Sequence, residues 1–336
     1  MFHLKKGITA GLMTLAACTT SQTPEDPASP TAPYVAETLD GPIVTQSWDQ
    51  VRIGTYNNVE FARLFTEIGG YTTIYADPAV MVLKQNGQGA QIVLEEMPLN
   101  ALQARPADAT SWDTGCYWSL MMRAKDVPAI VRDAESLGWL PKTPVAYLEF
   151  GPSKLNVVVL THQETGAQVQ LYERLTTPLP EDYPEFERFG VPFNIMQMAR
   201  DRDATYRFFT EQLGFATFYN GEPYLSEEPE LMPLGIPVEL TTTVPYRASI
   251  VSPVGGMETG RFEMIEVMGD EAGLVGRDFS ATCNKMSVGL TEVTYKVEHT
   301  RKVVNTLRAR GVTVSASDGL SFKAPDGANI RLRHDD

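Results

Sequence analysis

The chain has 336 residues and a formal net charge of -14, from 42 acidic and 28 basic side chains. Such an acidic surface repels nucleic acid and anionic headgroups, so neither is expected as a partner. A hydrophobic content of 43% is that of a globular protein, and the length suggests two domains.

Residues 1–17 carry Lys5 and Lys6 and then an apolar run from Gly7 to Ala17. The run is too short to cross a bilayer, since a spanning helix takes about 20 apolar residues. Leu15-Ala16-Ala17-Cys18 closes it, and this tetrapeptide resembles the lipobox of a bacterial lipoprotein signal peptide. The resemblance implies cleavage before Cys18 and acyl chains such as palmitate on Cys18, which becomes the membrane anchor. A Cys packed in an ordinary N-terminal helix is the competing reading. Thr19-Thr20-Ser21-Gln22-Thr23-Pro24 argues against it, because a packed helix would not run into such a segment. Many such lipoproteins carry Asp after the Cys when held at the inner membrane. Thr19 therefore points to the periplasmic face of the outer membrane. Residues 18–45 read as the lipidated Cys and a disordered tether, kept extended by Pro24, Pro27, Pro30 and Pro33.

Four segments then repeat one pattern: a short strand, a helix, and two or three more strands. The helices run Asn58 to Ile68, Val127 to Leu137, Ala204 to Leu213 and Arg301 to Arg310. Each spaces apolar residues by three and four. Gly69-Gly70, Gly138, Gly214 and Gly311 close them, glycines suited to a left-handed cap. Strands over 117–124 and 290–297 lead into two of the helices. Others close the copies at 90–94, 167–171, 261–265 and 329–332. The turn Ala324-Pro325-Asp326-Gly327 precedes the last of these. Cys116 and Cys283 are far enough apart to permit a disulfide without implying one. As isolated cysteines they read as small buried residues.

Met198-Ala199-Arg200-Asp201, running into Tyr206-Arg207-Phe208-Phe209-Thr210-Glu211-Gln212-Leu213-Gly214-Phe215, resembles a motif of the vicinal oxygen chelate superfamily, the glyoxalase and bleomycin-resistance group. The ending from Ala324 to Leu332 resembles that superfamily's last hairpin. The resemblance implies an α+β fold of four βαβββ modules paired into two glyoxalase-like cups. Consecutive modules are expected to pair: a first domain over 46–175, a linker over 176–190 and a second domain over 191–336.

The resemblance also implies ligand positions on the first and last strand of each module. In the expected first cup they fall on Gln50, Val93, Ser119 and Gln170, with Glu95 close to Val93. In the expected second cup they fall on Asn194, Glu263, Glu292 and Arg331. Transition metals take several convergent His, Cys or carboxylate donors. Val93 cannot serve, Arg331 is a cation, and His162, His299 and His334 fall outside the set. No cofactor is therefore expected, with a divalent metal as the alternative. Glu263 and Glu292 are candidates for an acid/base pair, and an ion pair of either with Arg331 is the preferred reading.

The residues leave open whether the chain is an enzyme. The favoured reading is a membrane-anchored, metal-free module binding a small apolar or aromatic molecule. Tyr117, Trp118, Met121, Met122, Met196 and Met198 would line an adaptable pocket. The alternatives are a lyase or isomerase, metal-dependent or carboxylate-based, and a structural envelope lipoprotein with an unidentified protein partner.

Overall fold

The computed structural model describes residues 36–316 and 320–334. Leu15 to Cys18 lie outside the described residues. From Glu37 onward the chain forms one compact unit. Among the described residues no helix is long and apolar enough to cross a membrane.

The first module comprises β1 (Gln50–Thr55), α1 (Asn58–Arg63, continued as a π-helix over Leu64–Ile68), β2 (Thr72–Ala76), β3 (Val80–Gln85) and β4 (Gln88–Glu96). The second comprises β5 (Ser119–Ala124), α2 (Val127–Glu135), β6 (Trp139–Pro141), β7 (Ala146–Phe150), β8 (Ser153–His162) and β9 (Gln168–Arg174). Both β6 and β7 pair with β8, so they are one strand, interrupted around Pro144. The third comprises β10 (Phe189–Met198), α3 (Arg202–Arg207, continued as a π-helix over Phe208–Gln212), β11 (Ala216–Asn220), β12 (Tyr246–Ser252) and β13 (Arg261–Val267). The fourth comprises β14 (Gly289–Val297), α4 (Thr300–Ala309), β15 (Leu320–Lys323) and β16 (Asn329–His334).

Three helices start on a side chain that accepts from the first turn: Asn57, Asp126 and Asp201. Each satisfies backbone N–H groups that have no partner within the helix.

The α+β fold of four modules in two sheets is as expected, but the pairing is not. The seven-stranded sheet runs β15-β16-β14-β1-β4-β3-β2, joining modules one and four. The nine-stranded sheet runs β11-β12-β13-β10-β5-β9-β8-β6, with β7 beside β8, joining modules two and three. The division into a 46–175 domain and a 191–336 domain is therefore corrected: each sheet draws on both halves of the chain. Antiparallel first strands make the junctions, β1 with β14 and β5 with β10.

The reason lies in the connections. Residues 97–118 and 268–288 both cross between the sheets, and they run side by side. Gln103 bridges Val288, and Thr114 bridges Asp278. A Cβ on Gly115 would stand 2.3 Å from the Ser280 nitrogen, and one on Gly276 would stand 2.0 Å from the Trp112 oxygen. Only glycine permits that approach. Cys116 and Cys283, expected as separate buried thiols, instead form a disulfide between these two crossings.

The main core lies between the helix-bearing faces of both sheets. It takes Phe61 and Phe65 from the first module, Ile130 and Trp139 from the second, Phe209 and Phe262 from the third, and Leu307 and Tyr295 from the fourth. Each such side chain contributes about 2 kcal/mol by leaving water. The end of the expected tether belongs to this core. Ile43 and Val44 are buried, and Ile43 N–H donates to the Leu213 carbonyl.

Candidate functional site

Side chains alternate across a sheet, so the face away from the core can be read from strand register. On the seven-stranded sheet, Arg52 lies between Glu292 and Val93, and Thr294 lies between Gln50 and Arg331. Arg331 meets Glu292 through two bonds, Nε to Oε1 at 2.6 Å and Nη2 to Oε2 at 3.1 Å. Arg52 meets Glu95 at 2.6 Å and the Thr291 hydroxyl at 2.8 Å. The Gln50 amide donates to Gln91 at 3.0 Å. Both carboxylates already face a guanidinium, so this face is braced by its own charges.

The other cup gathers Ser119 of β5, Gln170 of β9, Asn194 of β10 and Glu263 of β13. Ser119 Oγ donates to Gln170 Oε1 at 3.1 Å. Asn194 Nδ2 donates to Glu263 Oε2 at 2.8 Å. The eight expected positions thus fall into two different quartets: Ser119 and Gln170 join Asn194 and Glu263, while Gln50 and Val93 join Glu292 and Arg331. Glu263 and Glu292 stand on separate sheets, which removes them as an acid/base pair. Of the two, only Glu292 pairs with Arg331.

Apolar side chains surround the second quartet. Trp118, Met121, Met196, Met198, Val159, Phe193 and Ile265 form one cluster. Tyr117 and Met122, expected beside them, belong to the main core instead. The connection over residues 221–245 folds back over this face and adds Leu234, Ile236 and Leu240 to the cluster. At the two ends of the sheet, Phe150 of β7 and Tyr219 of β11 place their rings 5.9 Å apart. The sheet thus curls until its edges touch.

Among the described residues, several buried polar atoms here have no partner: Asn194 Oδ1, Trp118 Nε1, Thr161 Oγ1 and both amide atoms of Gln168. Thr161 and Gln168 are cross-strand neighbours, one row from Val159 and Gln170. Such orphaned groups await water or a ligand.

Glu263 keeps a partly open face, yet its carboxyl is desolvated. Burial pushes its pKa up to about 7, against the pull of the Asn194 amide. Burial also holds Tyr172 far above the usual phenol range, with the Glu263 charge adding to it. Arg123 falls to about 10, through burial and then the neighbouring Arg174 charge.

A metal does not fit either quartet. The first holds one carboxylate beside an arginine. The second holds one carboxylate, two amides and a hydroxyl; Gln170 Oε1 accepts from Ser119 and Glu263 Oε2 from Asn194, and a single carboxylate with no His or Cys is a poor donor set for a transition metal. Among the described residues no group of three or more His, Cys, Asp or Glu could hold a metal ion. His162 lies at the end of β8 among Phe61 and Trp139, with Nδ1 3.1 Å from Thr165 Oγ1.

Arg123, Arg261, Gln168 and Tyr172 were missed from sequence. All four share a strand face with an expected position, two or four residues away, so strict alternation along each strand would have found them.

No family model and no curated protein matches the chain. Solved structures do. Glyoxalase I from Zea mays is similar at 13% identity and a TM-score of 0.56, over 85% of this chain and 91% of that one. One mutant of it gives 0.58 at 13% identity, with the same coverage. Another gives 0.55 at 12%, over 86% of this chain and 93% of that one. At this identity the likeness speaks to architecture. The chain has a glyoxalase-like fold, with four modules in two sheets.

Proposed function

We propose that the cup of modules two and three binds a small apolar or aromatic molecule without a metal. The observation that carries this is an apolar cluster packed beside buried polar atoms that have no partner among the described residues. Met121, Met196 and Met198 are soft walls that adapt to a ligand, and the polar atoms fix its orientation. Glu263, uncharged over part of the neutral range, donates as well as accepts there.

The test is thermal unfolding of protein purified without chelator, across a library of aromatic and drug-like compounds, with and without EDTA. At a ligand concentration of about 100 times Kd, binding stabilises by about 2.7 kcal/mol. Stabilisation by at least one compound, unchanged by EDTA, is expected, as is the absence of stoichiometric transition metal by elemental analysis. An unchanged melting temperature across the library contradicts the reading.

A carboxylate-based lyase or isomerase is the second reading, and Glu263 alone now supports it. Under that reading Glu263→Gln retains binding and loses turnover.

We further propose that the chain is a lipoprotein of the bacterial envelope, anchored through Cys18 at the outer membrane and facing the periplasm. Leu15-Ala16-Ala17-Cys18 supports this, and so does the Cys116–Cys283 bridge, since disulfides persist in oxidising compartments. Labelled palmitate should enter the wild type and not Cys18→Ser; equal labelling of both would refute it.

A further inference from the structure

We propose that the ligand of this cup carries a carboxylate, held by Arg123. The inference rests on the reading of the cup as a ligand pocket and names the chemistry of its occupant.

Arg123 sits on β5, on the same face as Ser119 and Met121. Its side chain is only 7% exposed, and its one ion pair among the described residues is to Glu258 at 3.9 Å, beyond hydrogen-bond reach. Its Nε is buried without an acceptor. The guanidinium instead stacks over the Phe193 ring, 4.0 Å from the centroid, and makes no hydrogen bond among the described residues.

Arg261 mirrors it from β13. Its side chain is 6% exposed and lies 3.4 Å from the same Glu258. It stacks over Phe218 at 4.0 Å and donates from Nε to the Met257 carbonyl at 2.7 Å. Two buried guanidinium groups thus share one carboxylate, which is itself one-third exposed. Arg174 adds positive charge to the Arg123 surroundings.

A buried cation without a close partner is costly, and one anion relieves that cost. The planar fork of Arg123 suits the two oxygens of a carboxylate. Strand geometry sets the scale. Glu263 lies two residues from Arg261, roughly 7 Å, and Ser119 lies four residues from Arg123, roughly 13 Å. A carboxylate on a short aromatic or alkyl body spans that distance. Its body would lie along Phe193, Tyr172, Met121 and Met196, and its far end would reach the buried polar atoms.

The experiment is calorimetric titration of the full-length protein with 3-phenylpropionate, with its neutral amide, and with inorganic phosphate. The carboxylate should bind at least about tenfold more tightly than the amide. Arg123→Gln should erase that preference. Arg123→Lys, which keeps the charge and loses the fork, should lose part of it. If Arg123→Gln fails to fold, the wild-type ratio and the Lys variant decide.

Equal affinity for carboxylate and amide overturns the carboxylate assignment and leaves the pocket reading standing. A preference that survives Arg123→Gln, or is undiminished in Arg123→Lys, overturns the role of Arg123. Binding of phosphate alone marks a general anion site and also overturns the assignment. Binding of none of the three overturns the carboxylate claim, and the compound library then judges the pocket separately.

Discussion

Cys116→Ala will lower the melting temperature by roughly 10 °C, Cys283→Ala will match it, and the double variant will fall no further. The bridge joins residues 167 positions apart in sequence. Constraining so long a loop in the unfolded chain is worth about 5 kcal/mol, and a unit of this size shifts by about 2 °C per kcal/mol. Both cysteines are fully buried, so either alone leaves a thiol and no bond. The two changes therefore remove one interaction, not two. Thermal unfolding of the oxidised protein and the three variants checks this. Two small effects that simply add would mean that the bridge does not staple the crossings.

The second large effect concerns Glu263 and pH. Its carboxyl is raised to about 7 in the folded protein, against 4.5 for the ordinary side chain. Between those values the folded state holds a proton that the unfolded state has released. Stability from this group therefore declines as pH rises from about 4.5 to 7 and levels off above, by up to about 3 kcal/mol. Glu263→Gln imitates the protonated form. It should be more stable than the wild type at pH 8 by about that amount and nearly equal to it at pH 4. His162 titrates with the opposite slope. Burial depresses its pKa to about 4, so its contribution is lost as pH falls through that range. Only the difference between wild type and variant isolates Glu263. Urea unfolding across this pH range measures it, and parallel curves would show that the carboxyl is not desolvated.

The modules were legible because each announces itself locally. A cap residue, an apolar stripe and a terminal glycine are all short-range signals, and three of the four helices carry all three. The pairing was not legible. Every module offers a similar first strand, so hydrophobic pattern alone does not choose among partners. The choice rests on two irregular crossings and on the contact between Cys116 and Cys283, features without periodicity.

The site was half legible for the same reason. Counting along strands placed Ser119, Gln170, Asn194 and Glu263, but not their grouping, which follows the sheet. The cover over residues 221–245 shows neither helical nor strand spacing, and so Leu234 and Ile236 gave no signal of packing on Met196 and Met198.

We propose that ligands enter the cup of modules two and three without a metal. Methyl resonances of labelled methionine test it directly. Met121, Met196 and Met198 line the cup, whereas Met122 and Met264 lie on the opposite faces of β5 and β13, in the main core. Titration with 3-phenylpropionate or its amide in the presence of EDTA should move the first three and leave the other two in place. Movement confined to Met122 and Met264, or cup shifts that vanish with EDTA, would contradict the account.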